Sequence, residues 1–147
     1  MRDAKLKLSI GQTILSSAAS TNVMDTLKQV SSLYGQSPQV STNKNAVPTT
    51  LGQHPKKFFF VSQVTYGASG GTAGVGVAFA LQDSLTGGGS FATNLTTKSF
   101  TKGTLVAGFL AAKFALPEPL REFIQGYYTF SGGTFSALKV DTWLDVY

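Results

Sequence analysis

Very few residues in this chain could do acid–base, nucleophilic or metal chemistry, and their spacing separates them. The only histidine, His54, lies in a proline-rich stretch. One chain therefore cannot assemble a histidine-based triad or a two-histidine metal site, and His54 reads as an exposed loop residue. With no cysteine there is no thiolate ligand and no disulfide, so stability must come from packing and from partners. The carboxylates are Asp3, Asp25, Asp83, Glu118, Glu122, Asp141 and Asp145. Asp141 and Asp145 share one face of a strand but stand about 13 Å apart, too far for a single metal or a glycosidase pair. They read as residues that solvate a sheet. The run Gly67-Ala-Ser-Gly-Gly-Thr-Ala-Gly-Val-Gly has the glycine content of a phosphate-cradling loop. It leads into an alternating strand, however, where such a loop needs a helix whose N-terminal amides meet the phosphate. A hairpin tip is the better reading. Asn94-Leu-Thr is a formal glycosylation sequon, which has no consequence without secretion, and none is expected. The expectation is a protein with no catalytic residue, no metal and no cofactor, and not an enzyme.

Aromatic side chains offer a different chemistry, that of binding. Tyr127, Tyr128, Trp143 and Tyr147 fall in the last third of the chain, and Tyr and Trp are enriched at interface hot spots. They fit a β core equally well. Tyr127 and Tyr128 are adjacent, so on a strand they face opposite ways and one of them looks outward unless both faces are covered.

The elements that would position these residues are strands. Leu6, Leu8 and Ile10 alternate with Lys5, Lys7 and Ser9 over Ala4 to Ile10, the period of a half-buried strand. Gln12 to Ser16 and Thr21 to Leu27 are weaker candidates that fit neither period. Phe58-Phe-Phe-Val within Lys57 to Tyr66 is a continuous apolar run, as in a central strand covered on both faces. After a turn over Gly67 to Gly74, Val75, Val77, Phe79 and Leu81 alternate with Gly76, Ala78, Ala80 and Gln82, leaving a second face of small residues open to close approach. Lys98 to Thr101 and Leu105 to Leu116 predict two further strands. Glu122 to Phe130 and Phe135 to Val146, joined at Gly132-Gly133, predict a terminal hairpin with Leu138, Val140, Leu144 and Val146 on one face. About eight short strands with glycine-rich turns and no long amphipathic helix predict an all-β, jelly-roll-like β-sandwich, one domain over residues 1–147.

One segment departs from that pattern. From Lys28 to Pro55 the chain is rich in Gln, Ser, Thr, Asn and Gly, with Pro38, Pro48 and Pro55. Loops this long are uncommon inside compact domains unless they serve a function or lack order. Leu33, Tyr34, Val40, Val47 and Leu51 punctuate it. It reads as an extended arm anchored on a neighbouring surface, with a mobile loop as the alternative.

Composition narrows the partners. Charged residues make up 13% of the chain, about half the usual ~25%, and Gly, Ser and Thr take their place. The net charge of +5 and pI near 9.6 fit an anionic partner. Arginine occurs only at Arg2 and Arg121 and no basic run appears, which argues against nucleic acid, where arginine forks read phosphates and bases. Met1 to Leu8 hold no apolar stretch of a secretory signal. No segment approaches the ~20 apolar residues that span a bilayer, so no membrane partner is expected.

At its two ends the sequence becomes more specific. Met1-Arg-Asp-Ala-Lys-Leu-Lys-Leu-Ser and Ser20-Thr-Asn-Val-Met-Asp open it; Lys113-Phe-Ala-Leu-Pro, Gly126-Tyr-Tyr-Thr-Phe and Gly133-Thr-Phe-Ser-Ala close it. With Phe58 to Leu81, these segments resemble capsid cement, or decoration, proteins of the Bordetella phage type. The resemblance implies a jelly-roll homodimer in the virion, on the outer surface of a tailed-phage capsid, clamping neighbouring copies of the major capsid protein and carrying no active site. The chain departs from the family pattern at about Lys28 to Gly52, where the family passes more directly to the next strand. Arg2, Lys5 and Lys7 and the arm residues Leu33, Tyr34, Val40, Val47 and Leu51 are then the candidates for capsid docking, and Tyr127, Tyr128, Trp143 and Tyr147 for an aromatic interface. A carbohydrate-binding β-sandwich of a virion or cell surface is the rival reading, with Trp143, Tyr127 or Tyr128 as the sugar platform.

Overall fold

The computed structural model describes residues 7–26, 58–117 and 120–146. Its strands are β1 (Lys7–Thr13), β2 (Ala18–Ala19), β3 (Met24–Asp25), β4 (Phe58–Ser69), β5 (Gly76–Ser84), β6 (Ala92–Thr96), β7 (Phe100–Thr101), β8 (Leu110–Ala115), β9 (Phe123–Ser131) and β10 (Ala137–Val146). They form two antiparallel sheets packed face to face. One runs β1-β10-β4-β8; the other runs β2-β9-β5-β6, with β3 also on β9 and β7 also on β5. Because β2 and β3 share one neighbour and β6 and β7 another, the ten segments fill eight strand positions. Their order across the two sheets is that of a jelly roll.

The apolar alternation builds the core between the sheets. Leu8, Phe60, Val64, Leu138 and Val140 of the first sheet meet Val77, Phe79, Leu81, Ile124 and Tyr128 of the second, all of them fully buried. Phe79 meets Tyr128 edge to face with ring centroids 5.7 Å apart, and Phe60 stacks on Phe114 at 6.1 Å. Such pairs add to the area they bury. β4 is central, flanked by β10 and β8, and Val75, Val77, Phe79 and Leu81 share the inner face as their spacing predicts.

Three expectations fail, each for a physical reason. The Leu6–Leu8–Ile10 face does not persist: Leu8 is buried but Ile10 is 61% exposed. The β1–β10 pairing slips between Lys7 and Ser9 and again between Ser9 and Gln12, and each slip turns the following side chains over. Ser9 goes inside instead. The terminal hairpin is absent, since β9 pairs with β2, β3 and β5 while β10 pairs with β1 and β4. Both strands carry fully buried apolar faces, which meet across the sandwich rather than side by side. The turn after β4 is likewise a crossing between sheets, not a hairpin tip, because β4 and β5 belong to different sheets.

The two crossings pack against each other at one end of the sandwich. Gly132 takes φ +75°, and a Cβ there would stand 2.6 Å from the Gly74 carbonyl oxygen. Gly71, at φ +71°, would bring a Cβ within 2.8 Å of the Thr134 carbonyl oxygen. Only glycine meets both demands, a left-handed conformation and backbone-to-backbone approach.

Candidate interaction surface

The aromatic candidates separate sharply. Tyr128 is fully buried, and its hydroxyl lies in a chain of hydrogen bonds that joins the two sheets. The Ser9 hydroxyl donates to Gln12 Oε1 at 2.6 Å and lies 2.9 Å from the Tyr128 hydroxyl. The Tyr128 oxygen is 2.8 Å from Thr142 Oγ1, which is 2.7 Å from Ser62 Oγ. Burial raises the Tyr128 pKa above its ordinary value; the hydrogen bonds to Ser9 and Thr142 pull it back, and the Asp141 charge adds to the rise. Tyr128 is therefore a core residue and presents no ring to a partner. A sheet interior could hide one polar tip only by pairing it, and four hydroxyls here pair one another.

Trp143 is buried too, at 6% exposure, although it lies on the outer face of β10. Its cross-strand neighbours are Lys7 on β1 and Val61 on β4, and Val61 faces Lys113 on β8. That row crosses the whole sheet. In the next row Asp145 faces Phe59 and Phe59 faces Ala115, and the Lys113 ammonium sits 5.4 Å from the centre of the Phe59 ring. Tyr127 is half-buried on the outer face of the second sheet, between Ala19 of β2 and Ala80 of β5. The small residues predicted on that face of β5 make room beside it. Of the docking candidates, Lys7 is on β1; Arg2, Lys5, Leu33, Tyr34, Val40, Val47, Leu51 and the aromatic Tyr147 lie outside the described residues, as do His54 and the arm.

Other charged groups hold the backbone of neighbouring segments. The Asp141 carboxylate accepts the Gly11 N–H at 2.6 Å. The buried Asp83 carboxylate accepts the Arg121 N–H at 2.9 Å and has the Arg121 guanidinium 4.0 Å away. Among the described residues no group of three or more His, Asp or Glu could hold a metal ion.

Among the described residues, several large apolar side chains outside the candidate set are exposed, Ile10 most of all at 61%. Tyr66, Val106 and Leu110 are 56%, 55% and 48% exposed, and all three sit where β4 meets the segment leading into β8. The Val64 N–H donates to the Phe109 carbonyl, the Gly108 N–H to the Val64 carbonyl and the Ala68 N–H to the Leu105 carbonyl. A Cβ on Gly67 would come 3.5 Å from the Val106 Cα. Leu110 pairs with Gln63, and Tyr66 with the exposed Lys139. Tyr66 is turned to solvent beside the break in β4–β10 register between Lys139 and Val140, and no local sequence pattern signals that break.

Comparison with known proteins fixes the relationship. The family model Bbp16 matches residues 8–144, from β1 to β10. The chain belongs to the Bbp16 family. This is a family of Bordetella phage proteins. The match takes in every strand of both sheets, so the Bbp16 assignment rests on the whole sandwich rather than on one segment. No curated protein matches the chain.

Proposed function

We propose that this Bbp16-family protein is a capsid cement protein, which dimerises on the outer surface of a phage head and clamps neighbouring copies of the major capsid protein. The observation that carries this reading is the Bbp16 match over residues 8–144. The jelly roll supports it, because two close-packed sheets make a rigid docking body. The role is stabilising rather than enzymatic. A clamp holding two sites gains effective concentration, so weak contacts suffice: avidity exceeds either one by roughly 10² to 10⁴. Lys7, with Arg2, Lys5 and the arm, contributes attraction to an acidic shell over a reach of about 8 Å at physiological salt.

The sugar-binding reading loses most of its support, since Tyr128 is in the core and Trp143 is 6% exposed. Neither can stack on a sugar ring. The deciding experiment is binding of the purified protein to expanded heads that lack it, with copies counted against the major shell protein.

A further inference from the structure

We propose that the outer face of the first sheet, over Phe59, Val61 and Trp143, is the seat of residues 27–57 of the same chain. Nothing in this depends on the cement reading. Val61 and Trp143 are cross-strand neighbours on β4 and β10, on the face turned away from the second sheet, yet they are only 3% and 6% exposed. The stems of Lys7 and Lys113, at the two ends of that row, shield part of it. They do not hide an indole. Tryptophan is rarely buried this completely, and Tyr127, on the outer face of the second sheet, is only half-buried. Among the described residues no strand or helix lies over the Trp143 face, and the loop before β8 bonds to the edge of β4 at Val64 and Ala68. The cover is therefore another part of the chain.

Length and connection select the segment. Residues 27–57 follow Thr26, whose N–H donates to the Glu122 carbonyl beside the second sheet, and end at Phe58, where β4 begins in the middle of the first. Packed sheets lie about 10 Å apart, which a few residues of extended chain span at about 3.3 Å each. Most of the segment is thus spare for covering a face, and its far end adjoins Phe59 and Val61 in sequence. Leu33, Tyr34, Val40, Val47 and Leu51 supply the apolar side chains. Residues 1–6 instead join at the edge strand β1 and include Arg2, Asp3 and Lys5, while 118–119 and 147 are too short. The face itself carries Lys7, Lys113 and Lys139 against Asp141 and Asp145, close to balance, so apolar burial rather than charge holds the segment. With Lys28, Lys44, Lys56 and Lys57 and no carboxylate, the seated segment adds positive charge to this side of the molecule.

Trp143 is the only tryptophan, so the fluorescence of the full chain reports this face alone. The wild type should emit in the blue and resist acrylamide. In a Leu33→Asp/Tyr34→Asp/Val40→Asp variant, with circular dichroism checking that the sandwich is kept, the emission should shift to the red and acrylamide quenching should rise. A second measurement needs no disruptive change. The chain has no cysteine, so a nitroxide on Lys113→Cys marks the face, and it should broaden amide signals of residues 27–57 within the same molecule. Unchanged emission in the triple variant would overturn the proposal, as would broadening confined to residues 1–6. Broadening that passes only between an isotope-labelled copy and a nitroxide-labelled one would make the segment an exchanged arm and also overturn it.

Discussion

The hydroxyl chain through Tyr128 decides what single residues do in this fold. Ser62 and Thr142 are fully buried, so removing one member costs whatever its neighbour cannot recover. Tyr128→Phe leaves Ser9 with Gln12 and Thr142 with Ser62, and the expected loss is about 1 kcal/mol. Thr142→Val strips Ser62 of its Thr142 contact and should cost more, about 1–3 kcal/mol; urea unfolding of the two variants checks the order. Tyr128 also sets a pH dependence. Its folded pKa lies above the unfolded value of about 10, so its contribution is complete below that pH and is lost as pH rises toward the folded value. Stability should therefore fall above about pH 10 more steeply in the wild type than in Tyr128→Phe, as read from denaturation midpoints between neutral and alkaline pH. The sequence left Tyr128 open between core and interface because adjacency on a strand says only that two residues face opposite ways. Which way is set by the register of β9 against β5 and by hydroxyls distant in sequence.

At the scale of elements, the glycines at the sheet crossings matter more than those in the outer loops. Gly132→Ala should destabilise by more than about 1 kcal/mol, because alanine meets both an unfavourable φ and the Gly74 carbonyl; Gly88→Ala, with nothing near its Cβ site, serves as the comparison in thermal melts. The strands themselves were largely legible. The runs at Phe58 and Val75 and the alternation from Leu138 to Leu144 each became a strand, the last two with their predicted inner faces. Sheet membership was not legible, since a glycine pair that closes a hairpin and one that carries the chain across a sandwich look alike. β1 shows the other limit: its apolar alternation is regular, yet pairing slips against β10 send Ile10 to solvent and bring Ser9 in. The edges reflect the same irregularity. β1 slips and β2/β3 and β6/β7 are broken, features that blunt unwanted strand pairing.

The whole molecule is a jelly roll whose residues 84–117 carry three lysines and no carboxylate. The fold class and the family resemblance could be read from the sequence because both depend on patterns distributed over the chain. The exposure of Tyr66 could not, because it depends on the break in register of β4 against β10 between Lys139 and Val140. The most direct test of the cement role is co-sedimentation of the purified protein with expanded heads that lack it, with unexpanded heads as the control. Saturation at a fixed ratio to the major shell protein, with raised heat resistance of the particle, is the predicted result. Absence of pelleting at every salt concentration would contradict it.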